Sequence, residues 1–158
     1  MDKLIFLDID GVLNSPDFHR KNKCLIDTDK IKKLNQLEGK DVKIVISSSW
    51  GYDDGKTEQS LRSCGLTLPI VGYTKHLHFK YSWACRGNEI AQYIIEHYND
   101  TLTPFGYQTV DTYSYAILDD DTDMLLGQKE HFVHVDGMHG LTDEDIAKVC
   151  NILKISND

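Results

Sequence analysis

Long apolar runs are missing from this sequence. No stretch approaches the roughly 18 consecutive apolar residues that a membrane-spanning helix needs. The first residues alternate like a strand and run into acids, whereas a secretion signal has a basic segment followed by a long apolar one. We therefore expect no membrane partner and a cytoplasmic location.

Closely spaced cysteines and an excess of basic charge are missing as well. The four cysteines are far apart with no CxxC pair, and the seven histidines show no HExxH or Cys/His spacing. A zinc site or a disulfide framework therefore has little support, and we expect the histidines to be surface or loop residues. The 17 basic residues are outnumbered by 25 acidic ones, for a net charge of -8 at pH 7. This balance disfavours a broad surface for nucleic-acid phosphates but leaves room for a local basic patch.

Apolar strands alternate with amphipathic helices along the chain, which is typical of an α/β fold with a mostly parallel sheet. We predict a single Rossmann-like domain over residues 1–158, with a central five-stranded sheet flanked by helices. The strands are expected at residues 4–7, 41–47, 68–73, 115–121 and 131–136. The helices are expected at residues 27–37, 55–64, 86–98 and 141–154, and polar, irregular segments at residues 14–26 and 99–114.

Two of the predicted strands run directly into carboxylates. Asp8 and Asp10 follow the first strand, and Asp119, Asp120 and Asp123 follow the fourth. The carboxyl ends of parallel strands form the crevice in which such folds bind ligands, so we expect these acids to converge. Carboxylates that are close together in a partly dry crevice repel one another, and a hard cation such as Mg²⁺ relieves that repulsion. We predict a Mg²⁺ site with Asp8, Asp10, Asp119 and Asp120 as its ligands.

Four short segments resemble the successive motifs of the haloacid dehalogenase (HAD) superfamily of phosphohydrolases. They are "DIDGVLN", the serines of "IVISSSW", a basic residue ahead of a later helix, and "ILDDDTD". The resemblance spans residues 4–123 and includes both the order and the spacing of the motifs. The segments "SSSW" and "FVHVDGMHGLT" are also similar to small HAD domains found in bacteria, phages and some RNA-repair proteins. In that subgroup the Trp is often followed by Arg, whereas here the position is Gly51.

The resemblance implies a role for each residue of the first motif. Asp8 would be the nucleophile that forms an aspartyl-phosphate. Asp10, two residues on, points to the same side of an extended chain and would serve as general acid and then as general base. Gly11 would let the chain turn sharply beneath the phosphate.

The other motifs imply phosphate-binding and metal-binding residues. Ser48 is favoured as the phosphate-binding hydroxyl, with Ser47 close behind. Arg86 is the candidate cation of the third motif, and Lys80 or Lys75 could serve instead. In the fourth motif Asp119 would bind the metal, supported by Asp120 or Asp123. Trp50, which directly follows the serines, and Trp83 are candidates for the rim of the site, and packing in the core is the alternative for both.

These predictions together describe a magnesium-dependent phosphomonoesterase with a minimal cap or none, because the segments between motifs leave little room for an inserted domain. An open site suits a large phosphorylated substrate, so nucleotides or nucleic-acid ends are favoured. A small-metabolite phosphatase is the alternative, as is a non-catalytic binding module, whose signature would be loss of the motif acids. A local basic patch on the first loop either guides a polyanionic substrate or is simply solvated. It consists of His19, Arg20, Lys21 and Lys23.

Overall fold

The computed structural model describes residues 1–50, 55–98, 102–103, 106–107 and 113–156. The strands are β1 Asp2–Leu7, β2 Val42–Ile46, β3 Ile70–Tyr73, β4 Leu102–Thr103, β5 Gly106–Tyr107, β6 Tyr113–Asp119 and β7 Phe132–His134. The α-helices are α1 Pro16–Lys21, α2 Thr28–Asn35, α3 Lys56–Ser63, α4 Arg86–Tyr98 and α5 Asp143–Leu153. Two 3-10 helices cover Leu77–Phe79 and Leu126–His131.

Five of these strands form one all-parallel sheet in the order β3-β2-β1-β6-β7. The predicted five-stranded α/β architecture is therefore confirmed. In the central strand, Leu7 pairs in register with Ile46 of β2 and Leu118 of β6. The three strands end at the same level, so Asp8, Ser47 and Asp119 all lie at one edge of the sheet.

The core lies on both faces of the sheet, because successive side chains of β1 point to opposite faces. Leu4 and Phe6 pack with Ile90 and Ile94 of α4 on one face. Ile5 and Leu7 belong to a larger cluster on the other face, to which α2, α3 and α5 contribute. Burial on both faces explains why β1 reads as a continuous apolar run rather than an alternating one.

Two segments that we predicted to be irregular contain secondary structure. Residues 14–26 include α1, which begins where the Ser15 hydroxyl accepts a hydrogen bond from the Phe18 backbone N–H at 3.2 Å, with Pro16 in the first turn. None of its residues is buried, so it has no apolar periodicity to detect. In residues 99–114, β4 and β5 form a short antiparallel pair and β6 begins at Tyr113.

The connections on either side of β2 contain few elements in the part of the chain that the structure describes. Only α1 and α2 separate β1 from β2, and α3 is the one helix between β2 and β3. No inserted domain stands over the carboxyl edge of the sheet within these described segments, which agrees with a minimal cap. None of the described helices has the length and apolar character needed to cross a membrane.

Candidate active site

The site lies at the point where the order of the strands reverses, between the ends of β1 and β6, which is where open α/β sheets bind ligands. The Asp8 backbone N–H donates to the Leu118 carbonyl at 2.9 Å, which continues the β1–β6 ladder by one residue. The Asp8 carboxylate accepts from the Ile9 N–H at 2.8 Å, and the Asp119 carboxylate accepts from the Asp121 N–H at 2.9 Å. Both acids are buried and held by backbone groups next to them in the chain.

Asp8, Asp119 and Asp120 form a group of three carboxylates. One oxygen from each lies within 4.8 Å of the others. Burial raises the pKa of Asp8 to about 6, although the Arg86 charge opposes that rise. Burial and the neighbouring Asp8 charge raise the pKa of Asp119 to about 8. These carboxyl groups resist ionisation when no cation is bound. As three oxygen ligands, they are a suitable site for a hard divalent cation.

Two glycines, Gly11 and Gly137, leave the space that the Asp120 side chain occupies. A Cβ built on Gly11 would overlap the Asp120 carboxylate, and one on Gly137 would lie 2.5 Å from the Asp120 Oδ2. Gly11 also has a φ of +77°, which favours glycine. Gly11 therefore provides the predicted turn and also the space for the third carboxylate. Gly137 was not among the predicted site residues.

Asp10 is exposed and lies outside this group of three. Its carboxylate accepts hydrogen bonds from the Asn14 Nδ2 and from the Trp50 indole Nε1, both at 3.0 Å. Asn14 in turn accepts from the Gly11 N–H at 2.8 Å, so it connects the turn to the acid. The geometry favours Asp8, Asp119 and Asp120 as carboxylate ligands of a cation, and metal binding by Asp10 stays a prediction.

Ser48 and Ser47 differ in their surroundings. The Ser48 hydroxyl accepts a hydrogen bond from the Trp50 N–H at 3.4 Å, and its proximity opposes the rise in the pKa of Asp8. The Ser47 hydroxyl is buried and has no hydrogen-bond partner among the described residues. Ser48 is thus the serine that influences the ionisation of the predicted nucleophile.

Of the three candidate cations, only Arg86 lies against the carboxylates. Its Nε is 3.5 Å from the Asp119 Oδ2, and its charge opposes the rise in the pKa of Asp8. The Lys75 ammonium pairs with Glu96 at 2.6 Å, and the Lys80 ammonium lies 5.2 Å from the centre of the Tyr81 ring.

The first residues of α4 are hydrogen-bonded to the loop after β6. The Asp123 carboxylate accepts from the Arg86 N–H at 2.9 Å, and the Asp123 carbonyl accepts from the Gly87 N–H at 3.2 Å. The Gln128 side-chain amide donates to the Gly87 carbonyl at 2.8 Å. Asp123 therefore fixes the position of the helix that carries Arg86.

Two residues that we did not predict complete the site. Glu89 is buried and accepts from the Arg86 Nη1 at 2.9 Å, and His78 Nδ1 lies 2.9 Å from the other Glu89 oxygen. The spacing of Arg86 and Glu89, three residues apart on a predicted helix, could have indicated that pair. Nothing in the sequence pattern indicates His78. The resulting cleft has a volume of about 120 Å³ and is lined by Asp8, His78, Ala84, Cys85, Arg86, Glu89, Asp119, Asp121 and Asp123.

The carboxyl edge of the parallel sheet thus brings together Asp8, the strand-end serines, the cation of α4 and the acids Asp119 and Asp120. The family model described as the HAD domain in Swiss Army Knife RNA repair proteins matches residues 4–146, and the chain belongs to this family. No curated protein and no solved structure matches the chain significantly. The family suggests a phosphohydrolase-type activity.

Proposed function

We propose that the protein is a magnesium-dependent phosphomonoester hydrolase that acts through an aspartyl-phosphate on Asp8. One observation carries this proposal. The Asp8 carboxylate lies buried at the sheet edge, where the Ser48 hydroxyl and the Arg86 charge both oppose the rise in its pKa. A nucleophile in this position has a donor and a cation on hand for the phosphoryl oxygens.

Mg²⁺ fits the group of three carboxylates, since these are oxygen ligands whose charges repel one another without a cation. When bound by Asp8, Asp119 and Asp120, it would supply positive charge that offsets the repulsion between the nucleophile and the phosphate.

Asp8 and Asp10 would divide the chemistry between them. In the first step an Asp8 oxygen forms a bond to phosphorus, the bond from phosphorus to the ester oxygen breaks, and Asp10 gives its proton to the leaving oxygen. In the second step Asp10 takes a proton from water as the water oxygen attacks phosphorus, which releases inorganic phosphate and restores the Asp8 carboxylate. Asp10 suits this role because it is exposed, while Asn14 and Trp50 hold its carboxylate in one orientation.

Nucleotides or phosphorylated nucleic-acid ends are the substrates that we favour. The family to which the chain belongs is that of the HAD domain in Swiss Army Knife RNA repair proteins. The described segments leave the sheet edge without an inserted domain, so a long substrate has access. The basic patch also lies in part on α1, whose last turn contains His19, Arg20 and Lys21.

The proposal is tested by phosphate release from single-stranded oligonucleotides with a 3′- or 5′-phosphate and from glycerol phosphate, each with Mg²⁺ and with EDTA. We expect turnover with Mg²⁺ and none with EDTA or with Asp8→Asn. Activity that persists in the chelator would contradict the metal assignment. If no phosphoester is hydrolysed, the non-catalytic binding module becomes the better description. Higher kcat/KM on glycerol phosphate than on the oligonucleotides would favour a small-metabolite phosphatase.

A further inference from the structure

Several large rings are exposed in the segment that connects β3 to α4. We call residues 76–83 the aromatic loop. Phe79 and Trp83 are 78% and 71% exposed, and Tyr81 is 38% exposed. Large rings are usually buried, so a cluster of exposed rings in one short segment indicates a binding surface.

The rings of the aromatic loop contact one another in two groups. His78 and Phe79 have their ring centres 4.3 Å apart, and His76 lies 5.4 Å from Phe79. Tyr81 and Trp83 have their ring centres 5.4 Å apart, with planes tilted by 32°. Each group is held together by its own contacts, yet its outermost ring, Phe79 or Trp83, has most of its surface in solvent.

The charge of this segment is unusual for the protein. Residues 75–86 contain Lys75, Lys80 and Arg86 and no acidic residue, in a chain whose net charge is -8. The Lys75 ammonium pairs with Glu96, but the Lys80 ammonium lies over the Tyr81 ring. Exposed rings interleaved with positive charge are what single-stranded nucleic acid requires, because its bases stack and its phosphates are anionic.

The aromatic loop is continuous with the candidate active site. His78 lines the cleft that also contains Asp8, and its ring contacts Phe79. The His76 Nε2 lies 2.9 Å from the Ser48 carbonyl, which ties the beginning of the loop to the end of β2. A chain whose terminal phosphate entered the cleft would have its nearest bases beside these rings.

We propose that the aromatic loop is a stacking platform for the bases next to the terminal phosphate of a single-stranded nucleic acid. This inference rests on the proposed function, which identifies the active site. Beyond that function, it assigns the surface that selects the substrate. Phe79 and Trp83 supply the exposed faces, and Lys80 supplies charge for the backbone. Recognition by stacking tolerates any base sequence, because every base has an aromatic face.

The first test compares two substrates. One is a phosphorylated single-stranded oligonucleotide, and the other is the same chain with its terminal nucleotides made abasic. The measured quantity is the ratio of kcat/KM for the first to kcat/KM for the second. We expect Phe79→Ala and Trp83→Ala each to lower this ratio about fivefold or more. The control is Ile95→Ala, an apolar residue on α4 that is 40% exposed and lies outside the aromatic loop, which should leave the ratio unchanged. An unchanged ratio in both loop variants overturns the proposal.

The second test needs no catalysis and separates this inference from the proposed function. The chain has two tryptophans, so Trp83 can be observed by fluorescence in an Asp8→Asn, Trp50→Phe background. Binding of the phosphorylated oligonucleotide should quench Trp83 fluorescence, and the abasic chain should quench it less. Quenching without hydrolysis of any phosphoester by the wild-type protein would support the platform and overturn the proposed function. If the wild-type protein hydrolyses the substrate but Trp83 is not quenched and the loop variants leave the kcat/KM ratio unchanged, the proposed function stands and the stacking platform is overturned.

A second copy of the chain is the competing occupant of the exposed rings. Sedimentation of the wild-type protein and of Trp83→Ala distinguishes the two. A dimer that dissociates in the variant, together with an unchanged substrate ratio, would overturn the stacking platform. A monomer in both cases, with the lowered ratio, supports it.

Discussion

The Arg86 guanidinium donates to the buried carboxylate of Glu89 at 2.9 Å, one turn along the same helix. Glu89 is only 1% exposed, and its second oxygen lies 2.9 Å from His78 Nδ1. A buried acid with two such partners restricts where the guanidinium can point. Arg86 reaches Asp119 and opposes the rise in the pKa of Asp8 from that restricted position. Glu89 is therefore a positioning residue for the proposed cation.

We expect Glu89→Gln to lower kcat on a phosphomonoester by about 10-fold or more, because a small displacement of a charge-stabilising group is costly to a reaction. The matched control is Glu96→Gln, which removes an acid from the same helix that pairs with Lys75 and not with Arg86. Steady-state kinetics and circular dichroism check the prediction. A merely structural role would lower the melting temperature of Glu89→Gln while kcat per folded molecule stayed at the wild-type value.

Asp8→Asn should reduce turnover to background while the protein stays folded. The amide keeps the shape of the side chain but cannot attack phosphorus. Beryllofluoride, which mimics a phosphoryl group on an aspartate, should bind to the wild-type protein and not to this variant. The control is Glu130→Gln, since Glu130 is an exposed acid of the Leu126–His131 helix. Near wild-type turnover by Asp8→Asn would refute the covalent mechanism.

The sequence predicted the sheet and the acids of its edge because both have local signals. β1 and β6 are buried at their carboxyl ends, so each leaves an apolar run that stops at an Asp. Helix starts are equally local: the Asp27 and Thr142 side chains accept hydrogen bonds from the Asp29 and Asp145 N–H groups. The contacts of Asp10 with Trp50, and of Gly137 with Asp120, join residues distant in the chain. The spacing of residues in the sequence cannot predict such long-range contacts. The helix α1 and the β4–β5 pair were missed for another reason, since neither has an apolar periodicity.

The metal-free protein should lose stability as the pH rises. The pKa values of Asp8 and Asp119 are raised from 3.8 to about 6 and about 8 in the folded state. Their contribution to the free energy of unfolding is therefore fully present below the ordinary value and is lost as the pH rises through the raised values. We expect urea denaturation in EDTA to show this difference. As the pH rises through these values, the free energy of unfolding of Asp119→Asn should increase relative to that of the wild type by about 1 kcal/mol or more.

Added Mg²⁺ is the control for that measurement. It should restore stability to the wild type at high pH, because a bound cation favours the ionised carboxylates, and should have less effect on Asp119→Asn. A difference between the two proteins that does not vary with pH would contradict the raised pKa values.

The basic residues of α1 test whether charge guides the substrate. Charge reversal at Arg20 and Lys21 should reduce the advantage in kcat/KM of a phosphorylated oligonucleotide over a mononucleotide, as should added salt. Arg20 pairs with Asp17 in the same helix, so the larger effect is expected from Lys21. The control is Lys148→Glu on α5, a lysine that pairs with Glu144 within its own helix. Equal kcat/KM for the two substrates in every protein would favour a small-molecule phosphatase.

Gly11→Ala should impair the site far more than the fold, and Gly39→Ala provides its matched control. Both glycines have a φ of +77°, so either substitution places a side chain in the left-handed region at a cost of about 1–2 kcal/mol. The Cβ at position 39 would meet nothing within 4 Å, whereas the Cβ at position 11 would overlap the Asp120 carboxylate. We therefore expect similar backbone strain from both changes. Only Gly11→Ala should raise the Mg²⁺ concentration needed for half-maximal activity, by about 10-fold or more if Asp120 is a ligand. Equal Mg²⁺ requirements in the two variants would remove Asp120 from the proposed metal site and leave Gly11 as a turn residue alone.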